Sequence, residues 1–217
     1  TTANYLLKKV VEANDQGTHV PLWGTCMGIQ TLSVLVSQDP AVVLSNAFDS
    51  DNGLMLPLDM TSASKKSRLF GTLGSISPPI LNWFETKDVT TNLHHDGVLP
   101  DSFHSNERLS SFFNVLSTNQ DRKGKTFVST IEGKKYPIYG VQWHPERPQF
   151  EWGVDGVTKD PINHDAEAIS CMQYTSNFFV SESRKNNHSF GTVVEEQTSL
   201  IYNYVAHGDT YYQVYLF

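Results

Sequence analysis

Apolar residues recur along this chain at two different periods, and the switch between them marks its elements. Thr1 to Thr18 places Leu6, Leu7, Val10 and Val11 on one face of a predicted amphipathic helix, closed by the turn Asp15-Gln16-Gly17. His19-Val20-Pro21-Leu22-Trp23 is a short, mostly apolar run suited to a strand. From Gly28 onward, Ile29, Leu32, Leu35 and Val36 return to helical spacing. Further strands are predicted at Ala41 to Leu44 and Leu54 to Leu58, a short helix at Pro79 to Glu85, and a helix turn at Glu107 to Phe113 entering the strand Asn114 to Ser117. Phe127 to Ile131 and Pro137 to Val141 read as a hairpin across Glu132-Gly133-Lys134-Lys135. A long helical pattern runs from His164 to about Lys185, and Tyr211 to Phe217 alternates as a closing strand. Repeats, low-complexity tracts and linkers are absent, so one domain over residues 1–217 is expected.

Two segments carry chemistry. Gly24-Thr25-Cys26-Met27-Gly28 has the form Gly-x-Cys-x-Gly, a cysteine version of the nucleophile elbow, in which a strand turns sharply into a helix. Glycines on both sides let strand and helix approach. A cysteine at a helix N-terminus sees the partial positive charge of unpaired amides, which favours the thiolate. The amide of Met27 then points at a developing oxyanion.

The second segment is Gln142-Trp143-His144-Pro145-Glu146. It follows the strand-like run from Tyr136, and Pro145 ends that strand because it cannot donate to a ladder. His144 is thereby expected at a strand's carboxyl end, where open α/β sheets place their chemistry. Glu146 can accept from the imidazole and fix its tautomer. Each segment alone has an ordinary structural explanation; together they make a nucleophile, a base and an orienting carboxylate.

The elbow and the Gly-Val-Gln-x-His-Pro-Glu strand resemble the class I glutamine amidotransferase-like superfamily. Three longer runs resemble its γ-glutamyl hydrolase family: Pro21 to Cys26, Phe112-Phe113-Asn114-Val115-Leu116-Ser117-Thr118-Asn119, and Tyr136 to Glu146. Asn177-Phe178-Phe179-Val180 and Arg184-Lys185-Asn186-Asn187-His188 extend the match. The resemblance implies an α/β three-layer sandwich around a central, mostly parallel sheet of flavodoxin-like type. It implies Cys26 as nucleophile, His144 as general base and Glu146 as its partner. Candidate substrate-binding residues are Met27, Gly28, Trp143 and His94, the last falling where the hydrolases have a further active-site histidine, next to His95. The implied activity is hydrolysis of γ-glutamyl bonds in poly-γ-glutamates such as folate polyglutamates, through an acyl-enzyme.

The chain departs from the pattern twice. Gly28-Ile29-Gln30 stands where the hydrolases usually read Gly-Phe-Glu, and is closer to the Gly-x-Gln of amidotransferases. The first strands of the superfamily, and its Pro-Gly-Gly loop whose amide completes the oxyanion hole, have no counterpart before Cys26. An N-terminally truncated chain, with an uncovered sheet edge and an impaired oxyanion hole, is the expectation. The alternatives to a hydrolase are a glutaminase subunit, which Gln30 favours, and a catalytically impaired fragment.

Composition bounds the rest. With 217 residues, 39% hydrophobic and 12% aromatic, the chain can bury a sizeable core. No run of about 18 apolar residues is present, so no membrane partner is expected. Two cysteines make no disulfide framework, and Cys171, inside the long helical pattern with Met172 and Phe179, reads as a buried thiol. No metal is expected: His94, His95, Asp96 and His104 are close in sequence but sit among loop-forming residues. No cofactor is expected either.

A formal charge of −7 argues against nucleic acid and repels a polyanionic glutamate tail. Protonating all eight histidines raises it to +1 at most (−7 + 8), so an acidic compartment removes that repulsion. Lys65, Lys66, Arg68 and Arg147 are candidate local cations. Asn187-His188-Ser189 is a glycosylation sequon, and with the resemblance it points to a secretory route ending in a lysosome, a vacuole or outside the cell. A homodimer is compatible with all of this.

Overall fold

The computed structural model describes residues 1–152, 161–208 and 214–216. Its backbone divides into two compact units, Thr1–Lys185 and Asn186–Phe217. In the second unit no described side chain is buried, as befits a segment too short to build a core of its own.

The first unit runs α1 (Thr2–Asp15), β1 (Leu22–Thr25), α2 (Met27–Ser37), β2 (Ser50–Leu56), β3 (Asp59–Met60), α3 (Pro78–Thr86) and β4 (Thr90–His94). It continues with α4 (Pro100–Ser105), α5 (Glu107–Phe112), β5 (Phe113–Gln120), β6 (Thr126–Gly133), β7 (Ile138–Val141), α6 (Arg147–Phe150) and α7 (Ala166–Ser183). A five-stranded sheet has the order β1-β7-β6-β5-β3, and β2 pairs separately with β4. Helices cover both faces of the larger sheet, which gives the expected α/β layering. Parallel pairing among its described strands is that of β1 with β7; β7, β6, β5 and β3 run antiparallel. The antiparallel part follows from short connections, since β6 and β7 are joined by a hairpin that cannot carry a crossover.

Two clusters sandwich the sheet. On one side Tyr139, Val141 and Trp143 pack with Phe84 of α3 and Cys171, Met172 and Phe178 of α7. On the other, Ile138 and Ile131 meet Leu7 and Val10 of α1, Ile29 and Leu32 of α2, and Leu109 of α5. Alternation along β7 sorts its side chains between these faces. Each of the larger apolar groups so buried contributes about 1.5–3 kcal/mol.

Most sequence expectations have counterparts here, with shifted ends. β1 starts at Leu22 because Pro21 has no N–H and the chain before it is held by Asn14, whose Nδ2 donates to Val20 O at 2.8 Å. Ala41 to Leu44 is not a strand: Pro40–Val42 is a 3-10 turn, and only Leu44 makes an isolated bridge, to Gly97. Asp39 and Pro40 decide this, since the Asp39 carboxylate accepts from Ala41 N at 2.9 Å and proline presets φ. In the second unit, α8 (Val193–Thr198) starts with a capping box between Thr192 and Glu195. There β8 (Ala206–His207) pairs with β9 (Val214–Tyr215), a two-stranded sheet rather than a closing strand of the main one. The remainder of Tyr211 to Phe217, apart from residues 214–216, lies outside the described residues.

Candidate active site

The parallel register of β1 and β7, with Thr25 opposite Val141, brings two strand ends side by side. Cys26 leaves one end and Gln142, Trp143 and His144 leave the other. The Cys26 amide donates to Val141 O at 2.8 Å, which fixes the junction.

Cys26 has φ 50° and ψ −104°, a conformation that L-residues avoid. It caps α2 without a side-chain bond, and its carbonyl accepts from Ile29 N and Gln30 N at 3.2 and 3.4 Å. Its sulfur is therefore held off the helix, at the mouth of the turn. Of the two glycines, only Gly24 is needed for the close approach: a Cβ there would lie 2.6 Å from Gly28 C. A Cβ on Gly28 would meet nothing within 4 Å, so the steric reason expected for the second glycine does not hold. Gly28 and the exposed Met27 are the first residues of α2, whose amides have no intrahelical acceptor.

The His144 amide donates to Thr91 O of β4 at 2.8 Å, and Nδ1 lies 2.6 Å from Glu146 Oε1. Burial pulls the imidazole's pKa down, but the hydrogen bonds and charges of Cys26 and Glu146 outweigh it and raise it to about 9. Burial pushes the Glu146 carboxyl up, yet His144 holds it below its ordinary value. Glu146 is therefore an acceptor, Nδ1 carries the proton, and the other ring nitrogen is left to serve the sulfur. At neutral pH the imidazole is therefore protonated beside the Cys26 sulfur, the pairing a nucleophile and its proton carrier need.

Around the sulfur, Leu93 O lies 3.9 Å from Cys26 Sγ and Gln142 Nε2 3.6 Å. His94 closes the same wall, buried, with Nδ1 donating to Asp96 O at 2.9 Å and its ring edge-on to Phe127. Burial lowers its pKa to about 4, against a smaller opposing effect of the Asp96 carbonyl, so it is neutral across the ordinary range. Its neighbour His95 faces outward and pairs with Asp51 Oδ2 at 2.9 Å, which separates the two histidines.

Trp143 is not at the site. It is fully buried on the α7 side, where Nε1 donates to Thr130 Oγ1 at 3.2 Å and the ring packs near Phe84. The period of two along the strand sends Trp143 to one face while Gln142 and His144 share the other. The same period could have flagged Gln142, which the sequence reading passed over. The candidate cations are mostly committed elsewhere: Arg68 donates to Gly133 O and Tyr136 O and lies 3.5 Å from Glu132, and Arg147 pairs with Glu151 at 2.6 Å. Lys65 and Lys66 are exposed on a 3-10 turn. Cys171 is buried as expected, and burial pushes its thiol up to about 12. Asn187 is exposed, in the second unit.

Comparison with known proteins adds to this geometry. The family model described as "Glutamine amidotransferase class-I" matches residues 3–156. A rat protein named gamma-glutamyl hydrolase is 40% identical over 99% of the chain and 65% of its own length. Gamma-glutamyl hydrolase B of Dictyostelium discoideum is 38% identical over 90% of the chain and 53% of its own length, and the human gamma-glutamyl hydrolase 37% identical over 95% and 63%. The chain thus spans between about half and just under two thirds of the length of these relatives. With the elbow, the imidazole and its carboxylate on adjoining strand ends and the family model matched across them, the chain belongs to the class I glutamine amidotransferase family.

Proposed function

We propose that the chain is a cysteine-dependent hydrolase of γ-glutamyl bonds, acting on poly-γ-glutamates such as folate polyglutamates. The observation that carries this reading is the sulfur of Cys26 on its strained turn, facing an imidazole whose Nδ1 is held 2.6 Å from Glu146. The similarity to proteins named gamma-glutamyl hydrolase supports the bond that is cut.

In this mechanism the Cys26 thiolate attacks the γ-carbonyl carbon, and the carbonyl oxygen takes the negative charge toward the amides at the start of α2. His144 gives its proton to the leaving nitrogen as the C–N bond breaks, which leaves a γ-glutamyl thioester and a neutral imidazole. The imidazole then takes a proton from water, the hydroxide adds to the thioester, and the thiolate leaves. Glu146 keeps the ring in the tautomer that both steps require. Met27 and Gly28 line the side from which substrate approaches, while buried His94 backs the site from behind.

A glutaminase uses the same steps with ammonia leaving. Gln30, the residue type that favours it, directs its amide inward to Asp96 O and Gln142 Oε1, away from the mouth of the site. The decisive assay compares a pteroyl-polyglutamate with free glutamine as substrates, products being separated by chromatography. Shortened folates and released glutamate are the expected result; ammonia from glutamine with intact polyglutamate would replace this reading with the glutaminase. An acidic lysosomal or vacuolar compartment, or the extracellular space, suits a chain of charge −7 meeting an anionic tail, and a mobility shift on deglycosylation that is lost in Asn187→Gln tests the secretory route.

A further inference from the structure

We propose that Gln142 is a catalytic hydrogen-bond donor to the Cys26 sulfur, and that Gln30 is the positioning residue that decides which end of the Gln142 amide faces it. The inference rests on the nucleophile role given to Cys26 above.

A glutamine side chain has a donor end and an acceptor end of almost equal shape, and either can in principle point at a neighbour. A thiolate only accepts, so the orientation of Gln142 determines whether it stabilises the nucleophile or repels it. Three contacts settle the direction. The Asp96 carbonyl can only accept, and it takes a hydrogen from Gln30 Nε2 at 2.9 Å as well as one from His94 Nδ1 at 2.9 Å. The second hydrogen of Gln30 Nε2 goes to Gln142 Oε1 at 3.3 Å. Gln142 Oε1 is thereby turned toward α2, and Nε2 is left 3.6 Å from Cys26 Sγ. Polarity passes in one sense, from a backbone carbonyl through two amides to the sulfur.

Burial makes the arrangement matter. Gln142 is 1% exposed, so little water is present to replace a lost donor. The other groups facing the sulfur are His144 with Glu146 from the end of β7, Leu93 O from β4, and the amides that open α2, with neutral His94 buried behind them. Among the side chains of that set, Gln142 is the uncharged donor; it holds the sulfur without competing for the proton that His144 must move. Gln30 is also where the chain departs from the hydrolase pattern. A carboxylate there could donate neither to Asp96 O nor to Gln142 Oε1, and would draw Gln142 Nε2 to itself.

The test labels the nucleophile and needs no hydrolysis substrate. Initial rates of iodoacetamide alkylation at pH 7 are read by mass on the peptide containing Cys26, in the folded chain, with buried Cys171 as the unreactive internal reference. Gln142→Met keeps the length and removes the donor. Its alkylation is expected to fall about threefold to tenfold, the loss of thiolate being partly offset by the higher nucleophilicity of a more basic sulfur. Gln30→Glu is expected to fall by a similar factor, and the double variant no further than Gln142→Met alone, because one acts through the other. An unchanged rate in Gln142→Met overturns the donor role, and losses that multiply in the double variant overturn the relay. If Gln142→Met does not fold by circular dichroism, Gln30→Glu decides alone, a wild-type rate sinking the proposal. Failure of the functional reading is separate: it would appear as polyglutamate hydrolysis that persists in Cys26→Ala.

Discussion

Cys26, His144 and Glu146 divide one task unequally, and single substitutions should separate the shares. Cys26→Ala removes the atom that forms the acyl-enzyme, so hydrolysis should fall by several orders of magnitude; retention of more than about a tenth of the rate, under 1.4 kcal/mol, would remove it from the nucleophile's place. His144→Asn should be nearly as inactive, whereas Glu146→Gln should keep partial activity, because the ring can still move a proton when its orienting partner is weakened. A Glu146 variant as inactive as the His144 variant, with an unchanged circular dichroism spectrum, would make the carboxylate a direct participant. His94 adds a pH signature of stability. Its pKa is near 6.5 unfolded and about 4 folded, so between those values the unfolded chain binds the extra proton. Its contribution is fully present above pH 6.5 and is lost as pH falls toward 4. Between pH 7 and 5 the loss is about 2 kcal/mol, from 1.5 units at 1.36 kcal/mol each. His144 has the opposite sign: raised to about 9, it stabilises fully below pH 6.5 and its contribution is lost as pH rises through 9. Urea denaturation at pH 7 and 5 should show the acid loss in the wild type and a smaller one in His94→Phe. An equal loss in both would place the acid sensitivity elsewhere.

At the scale of elements, the elbow depends on how closely β1 passes α2. In Gly24→Ala the new Cβ would lie 2.6 Å from Gly28 C and 2.8 Å from Gly28 O, with Leu32 Cδ1 at 3.0 Å. Backbone must move, which should cost about 1–3 kcal/mol and misplace the sulfur. Gly28→Ala meets open space in an α-helix, so stability should hold or rise by up to about 1 kcal/mol. Denaturation midpoints of the two variants check the contrast; an equal loss would mean that the strand and helix are not held by this contact. α2, α3, α7 and the β6–β7 hairpin were legible because each carries several apolar residues at a constant period. The run at Ala41 does not become a strand for the opposite reason: a few apolar residues carry little periodic information, and one Asp-Pro pair outweighs them.

For the whole molecule, the consequence of the sheet order is that, among the described residues, β1 has a strand neighbour on one side only. Two apolar grooves flank it, one of about 560 Å³ lined by Pro21, Trp23, Phe150 and Phe179, the other of about 220 Å³ lined by Leu6, Met27 and Leu35. An unpaired edge beside apolar surface is a template for pairing with another chain. The 217-residue chain should therefore self-associate with rising concentration in size-exclusion chromatography with light scattering. A monomer at all concentrations, with full hydrolytic activity, would show that this edge is covered in solution.

The sequence alone determined what short-range rules control: the helical and strand periods, the turn at Gly24 to Gly28, and the presence of a thiol, an imidazole and a carboxylate of the right kinds. His144 and Glu146 were legible as a pair because they are two residues apart on one strand end. Tertiary structure decided what depends on pairing between distant segments. The register of β1 against β7 puts Cys26 beside Gln142 and His144, and the alternation along β7 buries Trp143 while turning Gln142 inward. The pairing of β4 with β2, and the Thr91 bond to His144, bring His94 to the same wall. None of these contacts has a local signature, because each depends on where a residue far along the chain comes to rest.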